Sequence, residues 1–107
     1  MEFLNRVEIQ GIVGSVSVSR IGDTKVARFS VLTETSYTSK DGTNVIECTW
    51  FNVSALNAGP EADRIAKGCA VNVKGRLKTF RFTDASGTER VCYEVVAREL
   101  SILPNNN

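Results

Sequence analysis

Residues 64–83 read RIAKGCAVNVKGRLKTFRFT and contain the clearest β-strand pattern of the chain. Within residues 69–82, apolar positions such as Val71 and Val73 alternate with polar, charged or aromatic positions. A period of two residues is typical of a strand with one face on the core and the other in solvent. The outward face would carry six side chains: Asn72, Lys74, Arg76, Lys78, Phe80 and Phe82.

The same stretch concentrates positive charge. It holds six Lys or Arg residues and no Asp or Glu, although the whole chain has a net charge of only +1. Aromatic rings on a cationic strand face suit a flexible polyanion whose bases can stack on the rings, and single-stranded nucleic acid fits that description. A solvated strand face without a partner is the alternative that the pattern leaves open.

Four more strand-like runs surround this one. They are Arg6–Val18, which Gly11 and Gly14 interrupt, and then Val26–Thr35, Val45–Ala55 and residues 88–103. Glycine inside a strand often marks a bulge or a tight bend. Polar turns separate the runs, including an Asp-Gly pair at residues 41–42 that is typical of a hairpin.

One short helix is predicted between the third and fourth strands, over Pro60–Lys67, because Pro suits the first helical turn and Gly68 follows as a stop signal. Three strands, a short helix and two more strands make up the element order of the OB-fold, an all-β, five-stranded Greek-key barrel. An SH3-like barrel, which is also small and five-stranded, is the alternative, but that fold gives no reason for a helix between the third and fourth strands. We expect one domain over residues 1–104 and a frayed polar tail over 105–107.

Composition excludes several classes of protein. The chain of 107 residues has no histidine, so His-based catalytic sites and His-containing zinc sites are excluded. Cys48, Cys69 and Cys92 are widely spaced, and we interpret them as small residues that fill space in a reduced protein. We therefore expect no metal, no cofactor and no enzymatic activity.

No apolar run is long enough to span a bilayer and the N-terminus does not resemble a secretion signal, which predicts a cytoplasmic protein without a membrane partner.

Four motifs in order resemble the bacterial single-stranded DNA-binding protein family. They are Asn5-Arg6-Val7 with Gly11 and Gly14, Cys48-Thr49-Trp50-Phe51-Asn52-Val53, the run from Lys67 to Leu77, and Thr83-Asp84-Ala85-Ser86-Gly87. The resemblance covers about residues 5–103. It implies sequence-independent binding and protection of single-stranded DNA during replication, recombination or repair. It also implies a nucleoid-associated homo-oligomer, with a tetramer favoured and a dimer possible.

The resemblance implies roles for particular residues. By position, Tyr37, Trp50 and Phe82 would stack on bases, and Phe80 joins them because it shares the phase of Phe82. Candidate phosphate contacts are Arg28, Lys74, Arg76, Lys78 and Arg81. Phe51 falls on the opposite phase from Trp50 and is a candidate for a subunit interface. The remaining rings, Phe3, Phe29 and Tyr93, are interpreted as core or subunit contacts.

Two departures from the family pattern carry expectations of their own. An aromatic residue expected just after the third strand is replaced by Ala55-Leu56-Asn57. The sequence also lacks a glycine-rich linker and an acidic tip, so we expect a short, tail-less member that does not recruit proteins through such a tip. The alternative function is that of an accessory OB protein like primosomal replication protein N, a dimer acting mainly through protein partners.

Overall fold

The computed structural model of the chain describes residues 1–56 and 63–104 and contains five β-strands. The strands are β1 (Val7–Ile21), β2 (Thr24–Thr38), β3 (Asn44–Leu56), β4 (Ala70–Thr83) and β5 (Glu89–Ile102). Each begins and ends within three residues of the bounds predicted from the sequence. The alternation of polar and apolar residues therefore predicts all five correctly.

The strands close into a barrel in the order β1-β2-β3-β5-β4. Every neighbouring pair is antiparallel except β3 and β5, which run parallel and pair only at Val53–Val95 and Ser54–Val96. A five-stranded closed barrel of this kind confirms the predicted all-β fold and matches the OB-fold. The brief contact between β3 and β5 matters below, because the two strands diverge on either side of it.

The helix predicted over Pro60–Lys67 is unconfirmed. It falls partly on residues 57–62, which lie outside the described residues, and residues 64–67 are a turn and irregular backbone rather than helix. The tail over 105–107 also lies outside them. In the part of the chain that the structure describes, no helix has the length and apolar character needed to cross a membrane.

The barrel interior is filled largely by valine. Seven valines have less than 2% of their surface exposed: Val13, Val26, Val31, Val53, Val71, Val73 and Val95. Ala27 and Phe29 on β2 are also buried, whereas Arg28 between them is exposed. Branched side chains suit this position because they pack well on a pleated, half-buried surface. The core thus follows the period-two pattern of the sequence and leaves the other face of each strand for contacts outside.

Strand β1 bends and pairs with two neighbouring strands, β4 and β2. Its first half, Val7–Ile12, pairs with β4, and its second half pairs with β2. Gly11 lies at the crossing, where a Cβ atom would stand 2.0 Å from the carbonyl oxygen of Leu32. Only glycine allows so close an approach of two backbones without a shift.

Two hairpins project beyond the barrel, and we call them the β2–β3 arm (residues 33–50) and the β4–β5 arm (residues 76–94). Residues 34–38 and 76–83 are all exposed, so these parts of the strands have left the core. The radius of gyration is 16.3 Å, against about 13 Å for a compact domain of this length. The arms account for the difference because they extend the molecule without adding to its interior.

Asn5 fixes the base of the β4–β5 arm. Its side-chain Nδ2 donates to the carbonyl oxygen of Leu77 at 2.7 Å, and its Oδ1 accepts from the Leu77 N–H at 2.9 Å. The pairing of β1 with β4 ends at Val7 and Gly75. Beyond that point, the Asn5 side chain gives Leu77 the two hydrogen bonds that a neighbouring strand would otherwise make. This pairing gives the asparagine of the N-terminal motif a structural role.

Candidate functional site

Trp50 lies on the outward face of β3, opposite Leu32 of β2, and 57% of its surface is exposed. Its indole rests against Gly14 of β1. A Cβ atom at Gly14 would stand 2.4 Å from Cζ3 and 2.6 Å from Cη2 of the ring. Because Gly14 has no side chain, the indole packs directly against its backbone, and we call this contact the seat of Trp50. The seat holds the ring on the barrel wall while much of the ring stays accessible.

A β-bulge shapes this seat. The register of β1 against β2 shifts between Val13 and Val16, which leaves Gly14 and Ser15 outside the regular ladder. The Ser30 hydroxyl accepts a hydrogen bond from the Ser15 N–H at 3.0 Å and lies 3.0 Å from the Ser15 hydroxyl. These bonds replace the lost ladder contact and fix the bulge. The glycine interruptions noted in the sequence thus do mark a bulge and a bend.

Phe80 and Phe82 form a pair on the β4–β5 arm. Their ring centroids are 6.4 Å apart and their planes are inclined by 33°. They are 41% and 44% exposed and, two residues apart on one strand, they share a face with Arg76 and Lys78. This face presents two rings beside two cations, as the alternation of the sequence predicts.

The other candidate cations differ in their surroundings. Lys74 faces Glu8 on one neighbouring strand and Glu99 on the other, so acids offset its charge. Arg81 lies on the opposite face of β4 from Phe80 and bonds to Glu89 at 3.1 Å. Lys78 faces Glu94 of β5, whereas Arg76 faces Val96, so the positive charge of the 64–83 stretch is uneven and is least offset at Arg76.

Arg28 is exposed on the outward face of β2 and lines a pocket beside Phe80. Tyr37 lies near the end of the β2–β3 arm, opposite Val45, with 48% of its surface exposed. Tyr37 is five positions beyond Leu32, the partner of Trp50, and an odd offset places the two aromatic residues on opposite faces of the arm. The structure does not bring Tyr37 and Trp50 together on one surface.

The rings and cysteines interpreted as core or interface residues differ in burial. Phe51 is half-buried and packs against the core, and its place in a subunit interface stays a prediction, while Phe29 is a core residue as expected. Tyr93 is 60% exposed and Phe3 is 91% exposed, so neither belongs to the core of the chain. Cys48 is exposed as well, so the space-filling interpretation is wrong for that cysteine.

Two adjoining pockets form a cleft between the barrel wall and the β4–β5 arm. One pocket, of about 360 Å³, is lined by Arg28, Phe80 and the β1 bulge; the other, of about 280 Å³, is lined by Trp50, Phe51 and Leu77. Three residues line both pockets: Asn52, Tyr93 and Glu94. The sequence analysis missed Tyr93 as a site residue because it alternates in phase with Val91 and Val95, which predicts an inward position.

Hydrogen bonds at the turn fix the end of the β4–β5 arm. The Asp84 carboxylate accepts bonds from the Ser86 hydroxyl at 2.6 Å, from Arg90 Nε at 2.6 Å and from the Thr88 N–H at 3.0 Å. The Ser86 bond first and the Arg90 bond second lower the pKa of Asp84 from 3.8 to about 2. In the other arm, bonds from Ser39 and then Thr43 lower the pKa of Asp41 in the same way, to about 2.

A family model described as the single-strand binding protein family matches residues 4–103. The chain belongs to this family. Among curated single-strand binding proteins, it is 29% identical to the single-stranded DNA-binding proteins of two Neisseria meningitidis strains over 84 residues, which are 77% of this chain and 48% of theirs. It is 29% identical to single-stranded DNA-binding protein 1 of Xylella fastidiosa, covering 96% of this chain and 79% of that one. The chain thus spans about half the length of the Neisseria relatives.

Solved structures of single-strand binding proteins share the fold. A Plasmodium falciparum SSB in complex with ssDNA superposes with a TM-score of 0.87 at 22% identity, over 97% of this chain and 98% of that chain. A deletion mutant of the Thermus aquaticus single-stranded DNA binding protein gives 0.79 at 17% identity, over 96% of this chain and 52% of that one. The family match and the names of these relatives do not favour the alternative of a primosome-type accessory protein.

Proposed function

We propose that this protein binds single-stranded DNA without sequence preference and protects it during replication, recombination or repair, roles that are typical of the family. The observation that carries the proposal is the seat of Trp50 on Gly14. An exposed tryptophan held against a rigid bulge offers a fixed, accessible ring at one end of the cleft. A mobile ring would lose more conformational entropy when a base stacks on it.

The mechanism combines stacking with charge attraction. Bases stack on Trp50, Phe80, Phe82 and Tyr37, and each stacked base contributes about 1–3 kcal/mol. Phosphates contact the exposed cations, chiefly Arg28 and Arg76, with Lys74, Lys78 and Arg81 contributing less because acids lie beside them. The protein acts as a binding module rather than an enzyme, since rings and cations hold a polyanion without reacting with it.

We also propose that the functional form is a homo-oligomer, with a tetramer favoured over a dimer, in the cytoplasm and associated with the nucleoid. Large apolar side chains outside the cleft support this proposal: Phe3 is 91% exposed, Leu4 76% and Leu56 57%. Apolar surface of this kind often belongs to an interface. A solution mass near four times the 11.7 kDa of one chain is expected, and a monomeric mass at micromolar concentration contradicts it.

Competition binding tests the proposed function. A dye-labelled oligo-dT is bound to the protein, and unlabelled single-stranded DNA, duplex DNA and RNA are added as competitors while the fluorescence anisotropy is followed. Single-stranded DNA of any sequence should displace the probe at similar concentrations, and duplex DNA should require far more, because its bases are not available for stacking. Equal competition by duplex DNA would refute the stacking mechanism.

A further inference from the structure

Tyr93 belongs to both pockets of the cleft beside the β4–β5 arm. It lines each of them, and 60% of its surface is exposed. On one side β5 pairs Tyr93 with Thr79 of β4, but the pairing of β5 with β3 begins only at Val95. Tyr93 therefore lies where β3 and β5 separate.

The cleft connects the two aromatic groups of the proposed site. Trp50 lines the pocket on one side of Tyr93, and Phe80 with Arg28 lines the pocket on the other. A strand that contacts both Trp50 and Phe80 by this route passes Tyr93. An aromatic ring midway along such a path offers a third surface on which a base can stack.

We propose that Tyr93 is a further base-stacking residue, and that single-stranded DNA passes through the cleft with a base, rather than a phosphate, turned toward Tyr93. The inference rests on the proposed function and extends it to a residue outside the aromatic set predicted from the sequence. The occupant of the cleft is a nucleobase because the pocket that Tyr93 shares with Trp50 is also lined by the apolar residues Phe51 and Leu77.

One cation lies at the margin of the cleft. Arg28 is exposed and lines the pocket that Tyr93 shares with Phe80, so a phosphate can reach Arg28 while a base stacks on Tyr93. Glu94, the next residue, pairs with Lys78 of β4, and their opposite charges offset each other on the strand face that Tyr93 does not share.

Two substitutions at Tyr93 test the proposal. Tyr93→Leu removes the ring and should weaken oligo-dT binding about 5- to 150-fold, the equivalent of one lost stacking contact. The dependence of affinity on salt should stay the same, because no charge is lost. Tyr93→Phe keeps the ring and should bind within about twofold of the parent. Both variants are compared with the parent by thermal melting and by solution mass.

Several outcomes would overturn the proposal while leaving the proposed function intact. These are parental affinity in Tyr93→Leu, an equal loss in Tyr93→Phe, and a changed solution mass that accounts for the loss in Tyr93→Leu. If Tyr93→Leu does not fold, ultraviolet crosslinking of the parent to an oligonucleotide containing 5-iododeoxyuridine replaces it, with Tyr93 expected in the crosslinked peptide. Crosslinks confined to Trp50 and the phenylalanines would refute the proposal. A parent that does not bind oligo-dT at all would instead refute the proposed function.

Discussion

The seat of Trp50 can be tested by filling it. In Gly14→Ala, the new Cβ atom would stand 2.4 Å from Cζ3 of the indole, and an ordinary contact of 3.4 Å requires the ring to move by about 1 Å. The ring can move because 57% of its surface is exposed. The fold should tolerate the change, since an off-rotamer side chain costs only about 0.5–1.5 kcal/mol. The stacking surface, however, is displaced.

The expected effect on binding follows from that displacement. A base stacked on an aromatic ring contributes about 1–3 kcal/mol, and losing about half of it weakens oligo-dT binding about 2- to 12-fold. The affinity is measured by anisotropy of a labelled oligonucleotide, which does not depend on the tryptophan signal. Chemical denaturation of the same samples reports the free energy of unfolding.

Two further variants distinguish a displaced Trp50 ring from a general loss of stability. Gly22→Ala is the matched control, because Gly22 has a φ of +62° and no atom near its Cβ position, so the change strains a turn without touching the indole. It should lower stability and leave the affinity unchanged. In a Trp50→Ala background, Gly14→Ala should have no further effect on affinity, since the ring it displaces is gone. An equal loss with and without Trp50 would refute the proposed seat.

Three further predictions concern the arms and the charges. Asn5→Ala removes both hydrogen bonds to Leu77 and should lower the free energy of unfolding by about 1–2 kcal/mol; an unchanged urea midpoint would contradict this. Because the folded pKa of Asp84 is lowered from 3.8 to about 2, its contribution to stability is present above pH 3.8 and is lost as the pH falls toward 2. The melting temperature of Asp84→Asn should therefore fall less over that range than that of the parent, and parallel curves would be inconsistent with it. Arg28→Ala should reduce the slope of log affinity against log salt by about 0.7, and Arg81→Ala should reduce it by less because Glu89 offsets its charge. A larger change in Arg81→Ala than in Arg28→Ala would show that the assignment of phosphate contacts is wrong.

Local pattern was enough to predict the strands and the core. Period-two alternation places Ala27 and Phe29 inside and Arg28 outside, and the structure agrees. The same pattern places Phe80 and Phe82 on one face of β4, where they lie side by side. These features depend only on neighbours along a single strand, so a sequence shows them directly.

Features that depend on two distant strands could not be predicted. The contact between Gly14 and Trp50 requires a bulge in β1 and the register of β2 with β3, neither of which follows from composition. Tyr93 has the phase of a core residue, and it is exposed because β5 separates from β3 just before Val95. Alternation predicts which face a side chain takes, but not whether another strand covers that face.

Trp50 emission tests the central claim most directly, because Trp50 is the only tryptophan in the chain and is itself the proposed stacking residue. Oligo-dT should change the emission in a saturable titration, and the affinity should fall as salt is raised because bound phosphates release counterions. An emission that stays constant while anisotropy shows the protein saturated with oligo-dT would contradict the claim that bases stack on Trp50.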